Sequence, residues 1–242
     1  MPLIRIDQTL DTPEENLALD EALLLECEAH SGDKACEILR FWESTSHFVV
    51  LGVAEKYRTA IDVEACARDS IPVLRRASGG GTVIQGPGCL NFSLILSLEQ
   101  RPELQLIDRS YQSILEVVSG ALSGGSAEVD FRGISDLTLG NLKISGNAQK
   151  RKRRTLLHHG TLLYNFRSEL ITRYLREPEK QPDYRQGRSH SEFVTNLELD
   201  APAIKAQLAR AWNATANSNF EPPGLEELVH KKYGNRDWTE RF

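Results

Sequence analysis

One lysine, Lys143, sits among residues that can build an anion site. In LTLGNLKISGNAQ (residues 137–149) the pair Gly140-Asn141 lies between Leu139 and Leu142. Such a pair takes the positive φ angles of a two-residue hairpin turn. The register then follows: Leu139 faces Leu142, Thr138 faces Lys143, Leu137 faces Ile144 and Asp136 faces Ser145. Side chains alternate across a sheet, so Leu137, Leu139, Leu142 and Ile144 share an apolar face, and Asp136, Thr138, Lys143 and Ser145 share a polar one. An ammonium beside a carboxylate and two hydroxyls can hold and polarise an anion. Half-exposed antiparallel sheets also show water a polar face as a matter of course, so the pattern locates chemistry without naming it.

A second stretch, RRASGGGTVIQGPGCLNFSL (residues 75–94), places Gly79, Gly80 and Gly81 directly after a strand. Without Cβ atoms they let the backbone approach a ligand closely. Their amides can bond phosphate or carboxylate oxygens, and Arg75 and Arg76 stand just before them. The stretch is neither a Walker loop nor a GxGxxG, and a flexible loop is its plain alternative.

His158 and His159 are adjacent, so on a strand they point to opposite faces and cannot form a two-histidine metal face. One is expected to turn toward a site, and each has an ordinary structural role as its alternative. The five basic residues Lys150–Arg154 read as a solvated turn, or alternatively as a docking patch for an acidic partner. Cys27, Cys36, Cys66 and Cys89 form no CxxC pair and fit no zinc spacing, so four free and mostly buried thiols are expected.

The elements that must position these groups read as α/β. Thr12-Pro13-Glu14-Glu15 opens a helix with a capping box. Strands are expected over CEILRFWES, HFVVLGV, IPVLRRA, CLNFSLILSL, AEVDFRGISDLTL, LKISGNA and TLLHHGTLLYNF, and more weakly over EFVTNL. Helices are expected over IDVEACARD, LIDRSYQSILEVVSGAL, SELITRYL, APAIKAQLARAWNATA and GLEELVHKKYG. Strands come in pairs and runs, which implies a mixed, mainly antiparallel sheet flanked by helices, of the α+β kind. The 242 residues suit a single domain spanning 1–242. A net charge of −5 argues against a general nucleic-acid binder, and KRKRR lacks the interleaved aromatics of one. No apolar run is long enough to span a membrane and no signal-peptide stretch opens the chain, so a cytoplasmic location is expected.

Taken together, RRASGGGTV, GPGCLNFSL, SDLTLGNLKISGNAQ and HHGTLL, with ENLALDEALL and LRFWES…HFVVLG before them, resemble the lipoate–protein ligase A family. This family falls within the wider group of biotin and lipoate ligases and octanoyltransferases. The resemblance covers about Asn16 to Leu163. It implies a biotin/lipoate ligase-like catalytic domain that activates lipoate with ATP and Mg²⁺ through a lipoyl-adenylate. The lipoyl group then passes to a lysine of a lipoyl domain, in a 2-oxo acid dehydrogenase component or a glycine cleavage H-like protein. Lys143 matches the lysine at the acyl carboxylate and adenylate phosphate. Ser78, Gly79, Gly80, Gly81, Thr82 and Val83 match the loop lining the pocket. Asn91, Ser145, Gly146, Ala148, His159 and Gly160 match positions that line or support it. Asp136 matches an acidic position nearby, a candidate for Mg²⁺, for a base, or for orienting Lys143.

The residue types suit that chemistry. A carboxylate and the α-phosphate of ATP are both anions, so fixed positive charge from Lys143, Mg²⁺ and the arginines lowers the barrier. One such preorganised contact is worth about 3 kcal/mol, a hundredfold or more in rate. An apolar lipoyl chain needs an apolar wall, to which Val83 and Ile84 can contribute.

Three other readings remain open. A cysteine-dependent octanoyltransferase working from acyl carrier protein calls for a nucleophilic thiol, which is missing both from EVDFRGISDL and before the HG segment; Cys89 is the nearest substitute. A biotin ligase would show a Gly-Arg-Gly-Arg pattern, which is absent. A non-catalytic acyl-protein binding module is the third. The small C-terminal accessory domain of longer ligases is expected to be absent, so a separate accessory subunit is a possible partner.

Overall fold

The computed structural model describes residues 2–30, 36–124, 128–178, 181–217, 220 and 222–242. The strands are β1 (Leu3–Asp7), β2 (Ile38–Trp42), β3 (Phe48–Leu51), β4 (Val73–Arg75), β5 (Val83–Gln85), β6 (Cys89–Ser97), β7 (Val129–Arg132), β8 (Asp136–Leu139), β9 (Leu142–Arg151), β10 (Thr155–Leu163) and β11 (Ala214–Asn217). The helices are α1 (Pro13–Ala29), α2 (Tyr57–Ala60), α3 (Val63–Arg68), α4 (Ile107–Leu122), α5 (Glu169–Tyr174), α6 (His190–Phe193), α7 (Ala201–Ala211), α8 (Leu225–Leu228) and α9 (Arg236–Thr239).

The larger sheet runs β11-β1-β2-β6-β10-β9-β8-β7. It is parallel where β1 meets β11 and β2, and antiparallel from β2 through to β7. The smaller sheet, β4-β3-β5, carries the glycine loop between β4 and β5. The fold class is therefore the one expected: mixed, mainly antiparallel and flanked by helices.

Alternation along β6 and β10 separates two cores. Leu94, Leu96 and Leu156 pack with Ile114, Leu115 and Val118 of α4 and with Leu208 of α7. Ile95 and Leu157 pack on the opposite face with Leu19, Leu23 and Leu24 of α1. The capping box of α1 forms as its sequence dictates: the Thr12 hydroxyl accepts from the Glu15 N–H at 3.2 Å and the Glu15 carboxylate accepts from the Thr12 N–H at 2.8 Å. This helix also buries Asn16, Asp20 and Glu21, which a helix facing water on one side would expose.

Four expectations are corrected. Cys27 and Cys36 are not free thiols: they are disulfide-bonded, with Cα atoms 5.5 Å apart, within the bridging range. EFVTNL is not a strand. Ser189 and Glu192 form a capping box that starts the short α6, and only Val194 then bridges to Lys143. The helix expected through Ala216 stops at Ala211, because Asn213 turns to φ 50°, and β11 follows. β1, not expected from the sequence, fills the sheet between β11 and β2. No helix among the described residues is long and apolar enough to cross a membrane.

Candidate active site

Register across the large sheet lines residues into rows on the face toward α1. One row runs Trp42, Asn91, Thr161, Gly146 and Asp136 across β2, β6, β10, β9 and β8. The next, two residues along each strand, runs Arg40, Ser93, His159 and Ala148. The rows are about 7 Å apart, from the rise per residue of a strand.

Lys143 enters the first row through a bulge. Leu139 pairs with Leu142 and Thr138 with Lys143 as the turn predicts, but the register then shifts, so that Leu137 pairs with Ser145 and Asp136 with Gly146. The extra residue reverses the alternation beyond it. Ser145 therefore does not share the polar face with Lys143. It is buried against Leu137 and Leu162 on the α4 side, where Asn147 donates to its hydroxyl at 3.1 Å. Gly160, paired with Phe92 and Asn147, faces that side too; a Cβ there would stand 1.8 Å from Asn147 Oδ1, so its role is packing.

Gly146 lies on the site face with Lys143 above it. A Cβ at Gly146 would stand 3.1 Å from Lys143 Nζ. Nζ pairs with Asp136 Oδ1 at 2.7 Å, and Tyr184 Oη donates to Asp136 Oδ2 at 2.7 Å. Burial, with the Asp136 charge beside it, pushes the Tyr184 phenol well above its usual pKa, so it remains a donor. Both Asp136 oxygens are thus engaged, which suits a carboxylate that orients Lys143 better than a metal ligand or a base. Tyr184 belongs to the segment 182–195, which lies along the hairpin: Arg188 donates to Asn141 O at 3.0 Å and Thr195 N–H to Lys143 O at 2.9 Å.

The two arginines before the glycine loop diverge. Arg75 is fully buried, and its guanidinium donates to the carbonyls of Gly52, Glu55, Trp238 and Thr239. It ties the C-terminal segment to β4 and, fully buried, points away from the glycine loop, unlike the place in the site expected for it. Arg76 turns the other way. It donates to Ser78 Oγ at 3.0 Å, to Gly79 O and to Gly81 O at 2.8 Å, fixing the loop from inside. Burial pulls its pKa down to about 10, which leaves it charged at neutral pH.

Gly80 has φ 82°, and its carbonyl lies where a Cβ on Gly52 would be, at 1.9 Å. A Cβ on Gly80 would be 3.8 Å from that of Ala148. The loop therefore rests on Ala148 and Lys143 on Gly146, two residues apart on one face of β9. Nothing stands within 4 Å of where a Cβ on Gly79 or Gly81 would be, so the loop has free space on that side, while both carbonyls are held by Arg76. Thr82 Oγ1 and Asn91 Nδ2 are buried without a partner, and Val83 packs on the cluster containing Trp42 and Val50.

Behind the loop Ser78 and His159, both expected at the site, join a chain of polar groups whose other members, Asp20, Ser93 and Arg40, sequence reasoning missed. Ser78 Oγ is 2.6 Å from His159 Nε2. His159 Nδ1 faces Asp20 Oδ2 of α1 at 3.6 Å. Asp20 also accepts from Ser93 Oγ at 2.8 Å and pairs with Arg40 at 2.5 Å. Burial pushes the Asp20 carboxyl up, but Arg40, His159 and Ser93 outweigh it and hold the group below the usual carboxylate range. Charges inside apolar runs, Asp20 beside Glu21 in LALDEALL and Arg40 in ILRFW, were the available signal. His158 points to the other face, beside Tyr111 and Phe92, and burial drops its pKa to about 3, so it remains neutral.

The remaining thiols are poor nucleophiles. Burial pushes Cys89 up to about 12 and Cys66 up to about 11. The basic run lies at the far end of β9, about 26 Å of strand from Lys143. Arg151 is tied to Leu104 O and Gln105 O, and Arg154 to Glu28, while Lys152 and Arg153 are exposed beside a cavity of about 520 Å³.

On this mixed sheet the lysine over Gly146 and the glycine loop over Ala148 stand two residues apart on one strand. Residues 12–210 match the lipoyl protein ligase A/B catalytic domain, and the chain belongs to that family of enzymes. Octanoyltransferase LipM of Moorella thermoacetica is 25% identical over 98% of this chain and 97% of its own. Lipoate-protein ligase A subunit 1 of Thermoplasma acidophilum is 24% identical over 95% and 94%. Among solved structures, the bi-partite lipoate protein ligase described with its E2 lipoyl domain from Thermoplasma acidophilum superposes with a TM-score of 0.82 at 22% identity, covering 98% of this chain and 96% of that one. A lipoate-protein ligase A bound with ATP also gives 0.82 at 22%, covering 99% of each.

Proposed function

We propose that this chain is a lipoate–protein ligase catalytic domain, which joins lipoate to ATP as lipoyl-adenylate and passes the lipoyl group to a lysine of a lipoyl domain. The observation that carries this choice over octanoyl transfer is the state of the cysteines. Two are joined, and the other two are buried thiols with raised pKa. A transferase that forms an acyl thioester needs an accessible thiolate. Cys89, in the row beyond Asn91, pairs with Leu163 and belongs to the apolar cluster around it.

The residues have separable tasks in this reading. Lys143 neutralises the lipoate carboxylate and the phosphate it approaches, then the charge that gathers on the anhydride oxygens during transfer. Asp136 and Tyr184 hold it in line. The open amides of residues 79–81 take phosphate or carboxylate oxygens, and Arg76, spent on loop carbonyls, supplies its charge through them. Val83, packed on the cluster of Trp42 and Val50, offers an apolar wall for the lipoyl chain. Mg²⁺, when bound with the nucleotide, would neutralise phosphate charge. Among the described residues no three His, Cys, Asp or Glu side chains gather as a metal cage, and the ion fits as one carried on phosphates. The span 1–242 acts as one catalytic domain in the cytoplasm, and a separate accessory subunit assists activation, as the name "subunit 1" of the Thermoplasma relative suggests by likeness.

Intact-mass measurement of an apo lipoyl domain tests this. With the chain, lipoate, Mg²⁺ and ATP, the acceptor gains one lipoyl group, and omitting ATP abolishes the gain. Octanoylation from octanoyl carrier protein without ATP would reverse the choice. If activation needs the accessory subunit, preformed lipoyl-adenylate restores the product.

A further inference from the structure

The glycine loop is gripped from two sides. Arg76 holds its carbonyls from within. On the other side the loop rests on the turn at residues 52–55. Val53 N–H donates to Ser78 O at 2.8 Å, and Gly80 O fills the place of a Cβ on Gly52.

That turn is itself held by residues far along the sequence. Arg75 donates to Gly52 O at 2.8 Å and Glu55 O at 2.7 Å, and with its other nitrogen to Thr239 O at 2.7 Å. Trp238 returns the contact, its Nε1–H donating to Arg75 O at 2.8 Å. Arg241 lies over the Trp238 ring, with Cζ 3.9 Å from the centroid, and donates to Val53 O at 2.8 Å. Beyond the turn, Tyr57 N–H donates to Phe242 O at 3.0 Å. Val53 thus accepts from Arg241 with its carbonyl and donates to Ser78 with its N–H. Two hydrogen bonds join an exposed arginine to the loop. Among the described residues Arg241 pairs with no carboxylate, so Val53 O and the rings of Trp238 and Phe242 are what it engages.

We propose that residues 238–242 set the glycine loop through the turn at 52–55, with Arg241 as a positioning residue; the ligand that the loop receives rests on the ligase reading above. Arg241 touches no substrate. It fixes Val53, Val53 fixes Ser78 O, and the loop keeps the spacing that carboxylate or phosphate oxygens require. Without it, the ligand must order the loop on binding, so the loss falls on affinity and leaves the chemical step alone.

Wild type, Arg241→Ala and Arg241→Lys are compared in two ways. In the ligand-free protein, amide hydrogen exchange over residues 76–83 should quicken about tenfold in Arg241→Ala, the scale of one hydrogen bond from a charged donor. Exchange over β9 and β10 should stay at the wild-type rate. In lipoylation with ATP, the KM for lipoate should rise about tenfold in Arg241→Ala while kcat stays within about twofold. Arg241→Lys keeps a donor for Val53 O and a cation over Trp238, and should restore both readings. Exchange that quickens across the whole chain, or a lower melting temperature with unchanged loop exchange, makes the role structural and overturns the proposal. An unchanged KM, or a fall in kcat alone, overturns it too. If the wild type lipoylates nothing, the ligase reading falls, and exchange in the ligand-free loop still decides whether Arg241 sets it.

Discussion

The two sides of the site are built differently. On one, Lys143 projects from a hairpin, with its side chain 29% exposed and a single ion-pair partner, Asp136. On the other, Arg76, Ser78, His159, Asp20 and Arg40 form a wall whose charged members are buried and multiply bonded. In the proposed ligase, a lysine that follows charge from carboxylate to phosphate would need freedom. A loop that receives the same atoms through its backbone would need to stay still. The lesson is that the mobile charge and the rigid cradle come from separate elements that meet on one strand, β9.

Breaking the wall should cost stability first. Arg40→Met leaves Asp20 buried without its main counter-charge, a loss of about 3–5 kcal/mol seen in denaturant melts. Because Asp20 has a lowered pKa in the fold, its contribution is present above the ordinary carboxyl range and is lost as pH falls through the lowered value. Arg40→Met should therefore move the acid-unfolding midpoint to higher pH. Gly52→Ala, which drives a Cβ to 1.9 Å from Gly80 O, should cost about 1–3 kcal/mol in a urea melt and shift the loop it abuts. The hairpin should respond more gently. Tyr184→Phe frees one Asp136 oxygen, worth about 1 kcal/mol, and should slow transfer roughly fivefold with little change in stability. Cys89→Ala should be the mildest for function: activity stays at the wild-type level, measured as lipoyl-domain mass gain, despite about 1 kcal/mol of lost packing. Loss of activity there would bring the transferase reading back.

Legibility followed the same division. The Lys143 turn, the α1 capping box and the glycine loop are set by local rules of backbone angle and capping, and they were readable residue by residue. The bulge at Lys143–Ile144 was not, because nothing in strict alternation marks where one strand gains a residue, and so Ser145 was placed on the wrong face. The wall depends on contacts between residues 20, 40, 78 and 159, which only sheet order brings together. Arg75 and Arg76 show the limit sharply: identical neighbours differ in role because a strand turns alternate residues to opposite sides. The alternation in EFVTNL outvoted the shorter signal Ser189–Glu192, although a capping box is the stronger local instruction. The Cys27–Cys36 pair is set by the approach of the end of α1 to the start of β2, a distance that spacing alone does not give.

The claim that Lys143 is the electrostatic centre has a direct measurement. Wild-type protein and Lys143→Ala are each incubated with apo lipoyl domain, lipoate, Mg²⁺ and ATP, with preformed lipoyl-adenylate in a parallel series, and the acceptor is weighed over time. Thermal melts should coincide, since Lys143 reaches no buried partner but Asp136. The expected result is a rate lower by a hundredfold or more in Lys143→Ala, about 3 kcal/mol of barrier. A folded Lys143→Ala protein that lipoylates at the wild-type rate would contradict it.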